Sequence, residues 1–97
     1  MLSELEKIIQ DRRRNPVEGS YTNKLQDSGL ERIMQKIGEE AVELIIAAGS
    51  QSKKRTIEET ADLFYHMLVL LDAKDISLED VENELRDRHS SDTQPKA

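Results

Sequence analysis

The chain has 97 residues, a formal net charge of −6 and no cysteine. A chain of this length forms one small domain, and the lack of cysteine excludes a disulfide framework, a thiolate zinc site and a cysteine nucleophile. The acidic balance argues against nucleic acid as a partner, because a polyanion binds basic surfaces.

The first predicted helix covers about three turns and ends at Asn15–Pro16. Ser3 and Glu6 fit a capping box at its start, and apolar residues follow at helical spacing. The last turn carries the basic run Arg12–Arg14. These arginines either complement the negative end of the helix dipole or bind an anion, and the sequence leaves both interpretations open.

Residues 15–29 predict a loop that has room for one short turn. The segment is polar and contains one proline and two glycines, which interrupt regular structure. A loop this long in so small a domain is often functional. Ser20, Tyr21 and Thr22 offer three hydroxyls and backbone N–H groups to phosphate oxygens, although ordinary turn chemistry explains the same residues equally well.

The second predicted helix covers residues 30–48 and is apolar on most sides. Gly49 suits the left-handed position that often ends a helix. Val42 and Ile46 form an apolar patch on the side away from the acidic residues of this helix. We therefore expect this helix to contact more than one neighbour.

The third predicted helix begins at Ser50 or Ser52 and extends to about Ala73. A later start is the alternative, because Thr56 and Glu59 also fit a capping box. In that alternative Glu59 would bind backbone N–H groups and would be unavailable to a ligand.

A fourth helix follows, with Ser77 as its N-cap and Asp80 as the capping-box partner. Residues 89–97 contain no large apolar side chain, so we expect a disordered tail. No segment shows the alternation of a strand. The sequence thus predicts an all-α domain over residues 1–88, a small bundle of about four helices that is completed by homodimerisation because so short a chain buries limited surface.

None of these segments predicts membrane insertion or export. The N-terminus lacks the basic start and continuous apolar core of a signal peptide, and no apolar run is long enough to span a bilayer. We therefore expect a cytoplasmic protein that has no membrane partner.

Acidic residues share one face in each of the two long predicted helices. The first face contains Lys36, Glu39, Glu40 and Glu43, and the second contains Glu59, Asp62 and His66. If the two faces meet, the carboxylates repel one another unless a cation lies between them. Oxygen-only ligands favour a hard ion such as Mg²⁺ or Mn²⁺, so a metal site is the simplest interpretation.

A solvated acidic surface is the alternative to a metal site. Solvated faces usually carry a basic partner one turn away from each acid. Here Lys36 is the only basic residue on the first face, and the second face has none. This difference favours the metal interpretation.

The acidic pattern resembles that of a known superfamily. Glu39-Glu40-x-x-Glu43 followed by Glu59-x-x-Asp62 is similar to the signature of the all-α nucleoside triphosphate pyrophosphatases, the MazG-like group. The segments Gly19–Thr22, Lys36–Glu43 and Glu59–Leu71 resemble the phosphoribosyl-ATP pyrophosphatase family of histidine biosynthesis. This likeness covers residues 2–88.

The resemblance implies a Mg²⁺-dependent homodimer that hydrolyses phosphoribosyl-ATP, a phosphorylated nucleotide, to phosphoribosyl-AMP and pyrophosphate. By motif position, the implied metal ligands are Glu40, Glu43, Glu59 and Asp62. Glu39 would be a further ligand or would position the attacking water.

Other residues are assigned roles around this implied centre. Lys36 either offsets phosphate charge or forms a simple ion pair with Glu40. Selectivity for phosphoribosyl-ATP needs a second anion site, and the available donors are Arg12–Arg14, Ser20–Thr22 and the basic cluster Lys53–Arg55. We select the first two sets, with Arg12, Arg13, Ser20, Tyr21 and Thr22. We expect Tyr65 and His66 to be mainly structural, with a hydrogen bond from His66 to the Asp62 carboxylate as the alternative.

Two other functions remain open on the sequence. A house-cleaning pyrophosphatase for free nucleotides would share the metal site, whereas a non-catalytic helical interaction module would leave the carboxylates solvated. A di-iron bundle is disfavoured because the chain lacks the Glu-x-x-His pairs such a site uses.

Overall fold

The computed structural model describes residues 1–90, which form five helices and contain no strand. The helices are α1 (Leu2–Arg14), α2 (Tyr21–Asp27), α3 (Leu30–Ser50), α4 (Lys53–Ala73) and α5 (Leu78–Ser90). The all-α prediction is therefore confirmed. The helix that was not predicted is α2, which lies in the segment predicted as a loop. Helix α5 continues two residues past the predicted end of the domain. The remainder of the predicted tail, residues 91–97, lies outside the described residues.

Helices α3 and α4 form the long antiparallel pair that organises the domain. Each has 21 residues, and two residues join them. Helices α1 and α2 pack against this pair. The buried core joins all four helices through Ile9, Leu25, Ile33, Leu68 and Val69. Among residues 1–90, no helix is both long enough and apolar enough to cross a bilayer.

Side-chain caps fix the starts of α4 and α5. The hydroxyl of Ser52 accepts a hydrogen bond from the backbone N–H of Arg55 at 3.1 Å, which confirms the start at Ser52. The alternative start at Thr56 is wrong, because Thr56 lies inside α4. The capping box of α5 is confirmed, since Ser77 and Asp80 exchange backbone-to-side-chain hydrogen bonds of 3.0 and 3.1 Å.

The predicted capping box of α1 is wrong. Helix α1 starts at Leu2, so Ser3 already lies within it, and its N-cap is Met1. Glu6 has a different partner, because its Oε2 accepts a hydrogen bond of 2.6 Å from the backbone N–H of Leu78. A tertiary contact with α5 thus replaces the local one.

The prediction that Gly49 ends α3 is also wrong. Helix α3 continues through Ser50, and Gly49 does not adopt the left-handed conformation. Two carbonyl groups near the end of α3 accept hydrogen bonds from residues that follow them closely in the chain. The Ser50 hydroxyl donates to the carbonyl of Ile46 at 3.0 Å, and the N–H of Gln51 donates to that of Ala47 at 3.0 Å.

Helix α2 forms because its polar side chains bind the end of α1. Ser20 caps α2 by accepting a hydrogen bond from the N–H of Asn23 at 3.2 Å. The side-chain amide of Asn23 donates to the carbonyl of Arg12 at 2.7 Å, and that of Gln26 donates to the carbonyl of Ile9 at 3.0 Å. The carbonyl of Arg12 is among the last four of α1, which have no partner within the helix, so Asn23 satisfies a group that the helix end leaves free. The loop prediction missed this docking because it depends on a neighbouring helix.

Candidate active site

Three carboxylates converge between the two long helices. Glu40 comes from α3, whereas Glu59 and Asp62 stand one turn apart on α4, and one oxygen of each lies within 4.8 Å of the other two. The three side chains differ in their exposure to solvent. Glu59 is buried, with 6% of its surface accessible, Glu40 is half-buried and Asp62 is exposed. The cluster therefore has a closed end and an end open to solvent.

The donor set fits a hard divalent cation. Mg²⁺ binds oxygen at about 2.1 Å, so two oxygens on one ion lie at most about 4 Å apart. Separations of up to 4.8 Å reach that limit after small side-chain rotations. The burial of Glu59 also distinguishes this cluster from a solvated acidic surface, whose carboxylates are exposed.

The other two predicted acids of α3 lie outside this group. Glu43 is exposed one turn beyond Glu40. Glu39 is also exposed, and its Oε1 lies 3.6 Å from the Nζ of Lys36. The structure therefore brings together three of the four predicted metal ligands.

Lys36 binds the cluster from α3. Its Nζ lies 3.3 Å from Oε1 of Glu40, one turn away. Burial opposes the charged form of this amine, but the hydrogen bond with Glu40 and the charges of Tyr21, Glu40 and Glu39 outweigh it, so the pKa of Lys36 is raised. The ion pair that was one of the two interpretations of Lys36 is present.

The pairing of Arg55 with Glu59 is the contact that sequence reasoning missed. The second acidic face was predicted to lack a basic partner, and this is wrong. Arg55 precedes Glu59 by one helical turn, and its Nη2 pairs with the carboxylate of Glu59. Its Nη1 lies 2.9 Å from Oε1 of Glu58. Hydrogen bonding to Glu58, together with the charge of Glu59, raises the pKa of Arg55. The spacing of Arg55 and Glu59 is the signal that could have revealed the pair.

The three predicted phosphate-binding hydroxyls have partners within the chain. Ser20 caps α2, and the Thr22 hydroxyl lies 2.5 Å from the Tyr65 hydroxyl. The Tyr21 hydroxyl lies 3.2 Å from Nε2 of His66. Two of these contacts join α2 to α4 directly beyond the acidic cluster, so the segment is anchored beside the site.

His66 connects this anchor to Asp62. Its Nδ1 lies 2.7 Å from the backbone carbonyl of Asp62. Because a carbonyl only accepts, Nδ1 carries a proton and donates it to this hydrogen bond. His66 is buried. Its contact is with the backbone of Asp62 and not with the Asp62 carboxylate.

The two predicted arginines lie apart from the cluster. The Nε and Nη2 of Arg13 bind Oδ2 of Asp72 at 2.9 and 2.8 Å. Asp72 is ten residues beyond Asp62 on α4, which corresponds to about 15 Å along the helix. Nη1 of Arg12 lies 3.6 Å from Oδ2 of Asp11. A phosphate bound by Arg13 beside Asp72 is therefore distant from the carboxylates.

Comparisons of the chain with known proteins give its family. The profile of the phosphoribosyl-ATP pyrophosphohydrolase family matches residues 2–89. A phosphoribosyl-ATP pyrophosphatase of Clostridium acetobutylicum is 49% identical over 92% of this chain and 81% of the relative. A second, from Bacillus cytotoxicus, is 46% identical over 91% of this chain and 82% of the relative.

A longer protein also matches. The histidine biosynthesis bifunctional protein HisIE of Pyrococcus furiosus is 54% identical over 91% of this chain, but the match spans only 41% of that protein. The similarity thus covers nearly the whole of this chain in every case. The chain belongs to the phosphoribosyl-ATP pyrophosphohydrolase family.

Proposed function

We propose that this protein hydrolyses phosphoribosyl-ATP to phosphoribosyl-AMP and pyrophosphate with Mg²⁺, for which Mn²⁺ can substitute. The observation that carries the proposal is the convergence of Glu40, Glu59 and Asp62 in a chain that is 49% identical to a phosphoribosyl-ATP pyrophosphatase. In this reaction the water oxygen forms a bond to one phosphorus of the α–β anhydride while the bridging P–O bond breaks.

Glu40, Glu59 and Asp62 would hold the metal, with Glu43 as a fourth ligand reached by a side-chain rotation. An ion held there would supply positive charge to offset the charge of the triphosphate oxygens and of the leaving pyrophosphate. The closed end of the cluster at Glu59 keeps water from that ligand, whereas the exposed side at Asp62 admits the substrate.

Glu39 and Lys36 act beside these ligands. The exposed carboxylate of Glu39 accepts a hydrogen bond from the attacking water and directs its lone pair toward phosphorus. Lys36 is protonated, and its Nζ already lies 3.3 Å from Oε1 of Glu40. It can therefore donate a charge-assisted hydrogen bond to a phosphate oxygen next to that ligand.

Selectivity for phosphoribosyl-ATP over ATP requires binding of the additional 5′-phosphate. Arg12 is the stronger candidate, because its 3.6 Å contact with Asp11 is loose and its backbone carbonyl is tied to α2 through Asn23. Arg13 would first have to leave Asp72. Tyr21 and Thr22 contribute by holding α2 in place, since their hydroxyls already have partners on α4.

A pyrophosphate-release assay tests the function. Purified protein is assayed with phosphoribosyl-ATP, ATP, dCTP and dUTP, with Mg²⁺ and with EDTA. We expect a clear preference for phosphoribosyl-ATP and no turnover in EDTA. A preference for a free nucleotide would indicate a house-cleaning enzyme, and the absence of turnover on all four would support an interaction module.

Variants test the assignment of the ligands. Asp62→Asn and Glu40→Gln should each lower kcat by about 100-fold or more, because a metal site contributes several kcal/mol of transition-state stabilisation. Glu31→Gln removes an exposed acid in the first turn of α3 and serves as the control. Full activity in the Asp62→Asn and Glu40→Gln variants would refute the site.

A further inference from the structure

The side chain of Arg55 contacts the proposed metal site and has no part in the roles described above. Glu59 is the most buried of the three clustered carboxylates, at 6% accessible. The guanidinium of Arg55 pairs with it from one helical turn before. The arginine itself is exposed at the start of α4 and also contacts Glu58 at 2.9 Å.

This pair explains how the acidic cluster is stable in the absence of a metal. A buried carboxylate without a partner destabilises the fold, and a charge-assisted hydrogen bond offsets that cost. Glu40 has the equivalent partner in Lys36, also one turn before it. Two ligands on two helices are thus neutralised by cations from their own helices.

A divalent ion changes this balance. It needs an oxygen of Glu59, and its two positive charges repel a guanidinium a few ångströms away. Arg55 can move away at little cost, because it lies at the surface and Glu58 offers it a second carboxylate. Glu59 cannot move to solvent in the same way, because it is buried.

We propose that Arg55 is a built-in counter-ion of Glu59 that competes with the divalent metal for this carboxylate. The inference rests on the proposed metal site. It predicts changes of opposite sign when Arg55 is neutralised, namely tighter metal binding and lower stability of the metal-free protein. A residue that merely oriented Glu59 toward the metal would weaken metal binding when lost.

Mn²⁺ binding by isothermal titration calorimetry measures the first effect. The full chain is titrated at pH 7.5 and 150 mM salt without nucleotide. Arg55→Gln should lower the Kd for Mn²⁺ about threefold to tenfold, the range expected for a partly buried charged pair. Arg55→Lys keeps the charge and should stay within about twofold of the wild type.

Lys54→Gln is the matched control. It removes the same charge one residue away, from an exposed side chain. At 150 mM salt its effect on the Kd should be less than about twofold, because the charge is screened. A Kd lowered as much by Lys54→Gln as by Arg55→Gln would refute the specific role of Arg55.

Thermal unfolding measures the second effect. Arg55→Gln should melt at a lower temperature than the wild type in EDTA, and its Mn²⁺-induced rise in Tm should be larger. Arg55→Met keeps an unbranched aliphatic stem and provides the same two measurements if the glutamine variant does not fold.

The outcomes separate the inference from the function. If the wild type fails to bind Mn²⁺ at millimolar concentration, the metal site is refuted and Arg55 has nothing with which to compete. If the wild type binds Mn²⁺ but Arg55→Gln binds it equally or more weakly, only the counter-ion role is overturned.

Discussion

Tyr65 connects stability to pH at the scale of a single residue. Burial raises the pKa of its hydroxyl, the hydrogen bond with Thr22 opposes this rise, and the charge of Tyr21 adds to it. Tyrosine becomes charged when it loses its proton, so a raised pKa means that the unfolded chain releases the proton first. Stability therefore falls as the pH rises above the ordinary value of 10.0.

Lys36 changes stability in the same pH range. Its pKa is raised above the ordinary value of 10.5 because the hydrogen bond with Glu40 and the nearby charges outweigh the opposing effect of burial. The stability that its charge contributes is thus complete below pH 10.5 and is lost as the pH rises through the folded pKa.

We predict that Tyr65→Phe lowers the free energy of unfolding by about 1 kcal/mol at pH 7, because the hydrogen bond with Thr22 is lost. Between pH 9.5 and 11 the variant should also lose less stability than the wild type, because only the loss of stability that comes from Lys36 remains. Urea unfolding at several pH values measures both. Thr22→Val removes the hydrogen bond but keeps the tyrosine, so it should retain the alkaline loss. An equal alkaline loss in Tyr65→Phe and the wild type would contradict the prediction.

At the scale of the helices, Glu6 joins the first and last elements. Its carboxylate accepts the hydrogen bond of the Leu78 N–H at the first turn of α5. That position suits a negative charge, because the N-terminus of a helix carries a partial positive charge. We predict that Glu6→Gln lowers the free energy of unfolding by about 1 kcal/mol. Urea unfolding with Glu4→Gln as the control measures this, and equal effects of the two variants would rule out the cap.

The ion pair of Arg13 and Asp72 joins α1 to α4. Both contacts are short, and Asp72 is mostly buried, with 13% of its side chain exposed. We predict that Arg13→Gln and Asp72→Asn each lower stability by about 1 kcal/mol and that the double variant loses less than their sum. A double-mutant cycle by urea unfolding measures the coupling. If Arg13→Gln instead raises KM for phosphoribosyl-ATP without changing stability, Arg13 is a substrate ligand.

Helical periodicity predicted the four longer helices because each has an apolar stripe long enough to be recognised from sequence alone. It missed α2, whose seven residues contribute only Leu25 to the core and whose order comes from amide contacts with α1. The helix ends were predicted less well. The cap of α5 was predicted because Ser77 has its partner three residues away. The partner of Glu6 lies 72 residues away, so local sequence does not reveal it.

The site shows the same division between local and tertiary contacts. The shared face of Glu59 and Asp62 follows from their spacing, and so does the pair of Arg55 with Glu59, which was not predicted. The contact between Tyr21 and His66 spans 45 residues of sequence. No spacing rule reaches that far, so only the packing of α2 against α4 could reveal it.

At the scale of the whole molecule, the described protomer leaves much apolar surface uncovered. One continuous groove lies between α4 and α5 and is lined by Leu2, Phe64, Met67, Leu71, Val81 and Leu85. A second patch on α3 exposes Val42 by 55%, Ile45 by 70% and Ile46 by 45%. Surfaces of this kind on a small chain indicate contact with another molecule.

We predict that the protein is a homodimer that buries at least one of these two surfaces between identical copies. A second copy is the natural occupant, because only six apolar residues among residues 1–90 are buried in the core of one protomer. Burying further aliphatic and aromatic side chains between two copies adds stability. Light scattering should give about twice the chain mass of 11.1 kDa at micromolar concentration. Ile46→Asp and Phe64→Asp then identify the surface, since the buried one tolerates no charge and that variant should dissociate. A wild-type monomer with a cooperative thermal transition would refute the dimer.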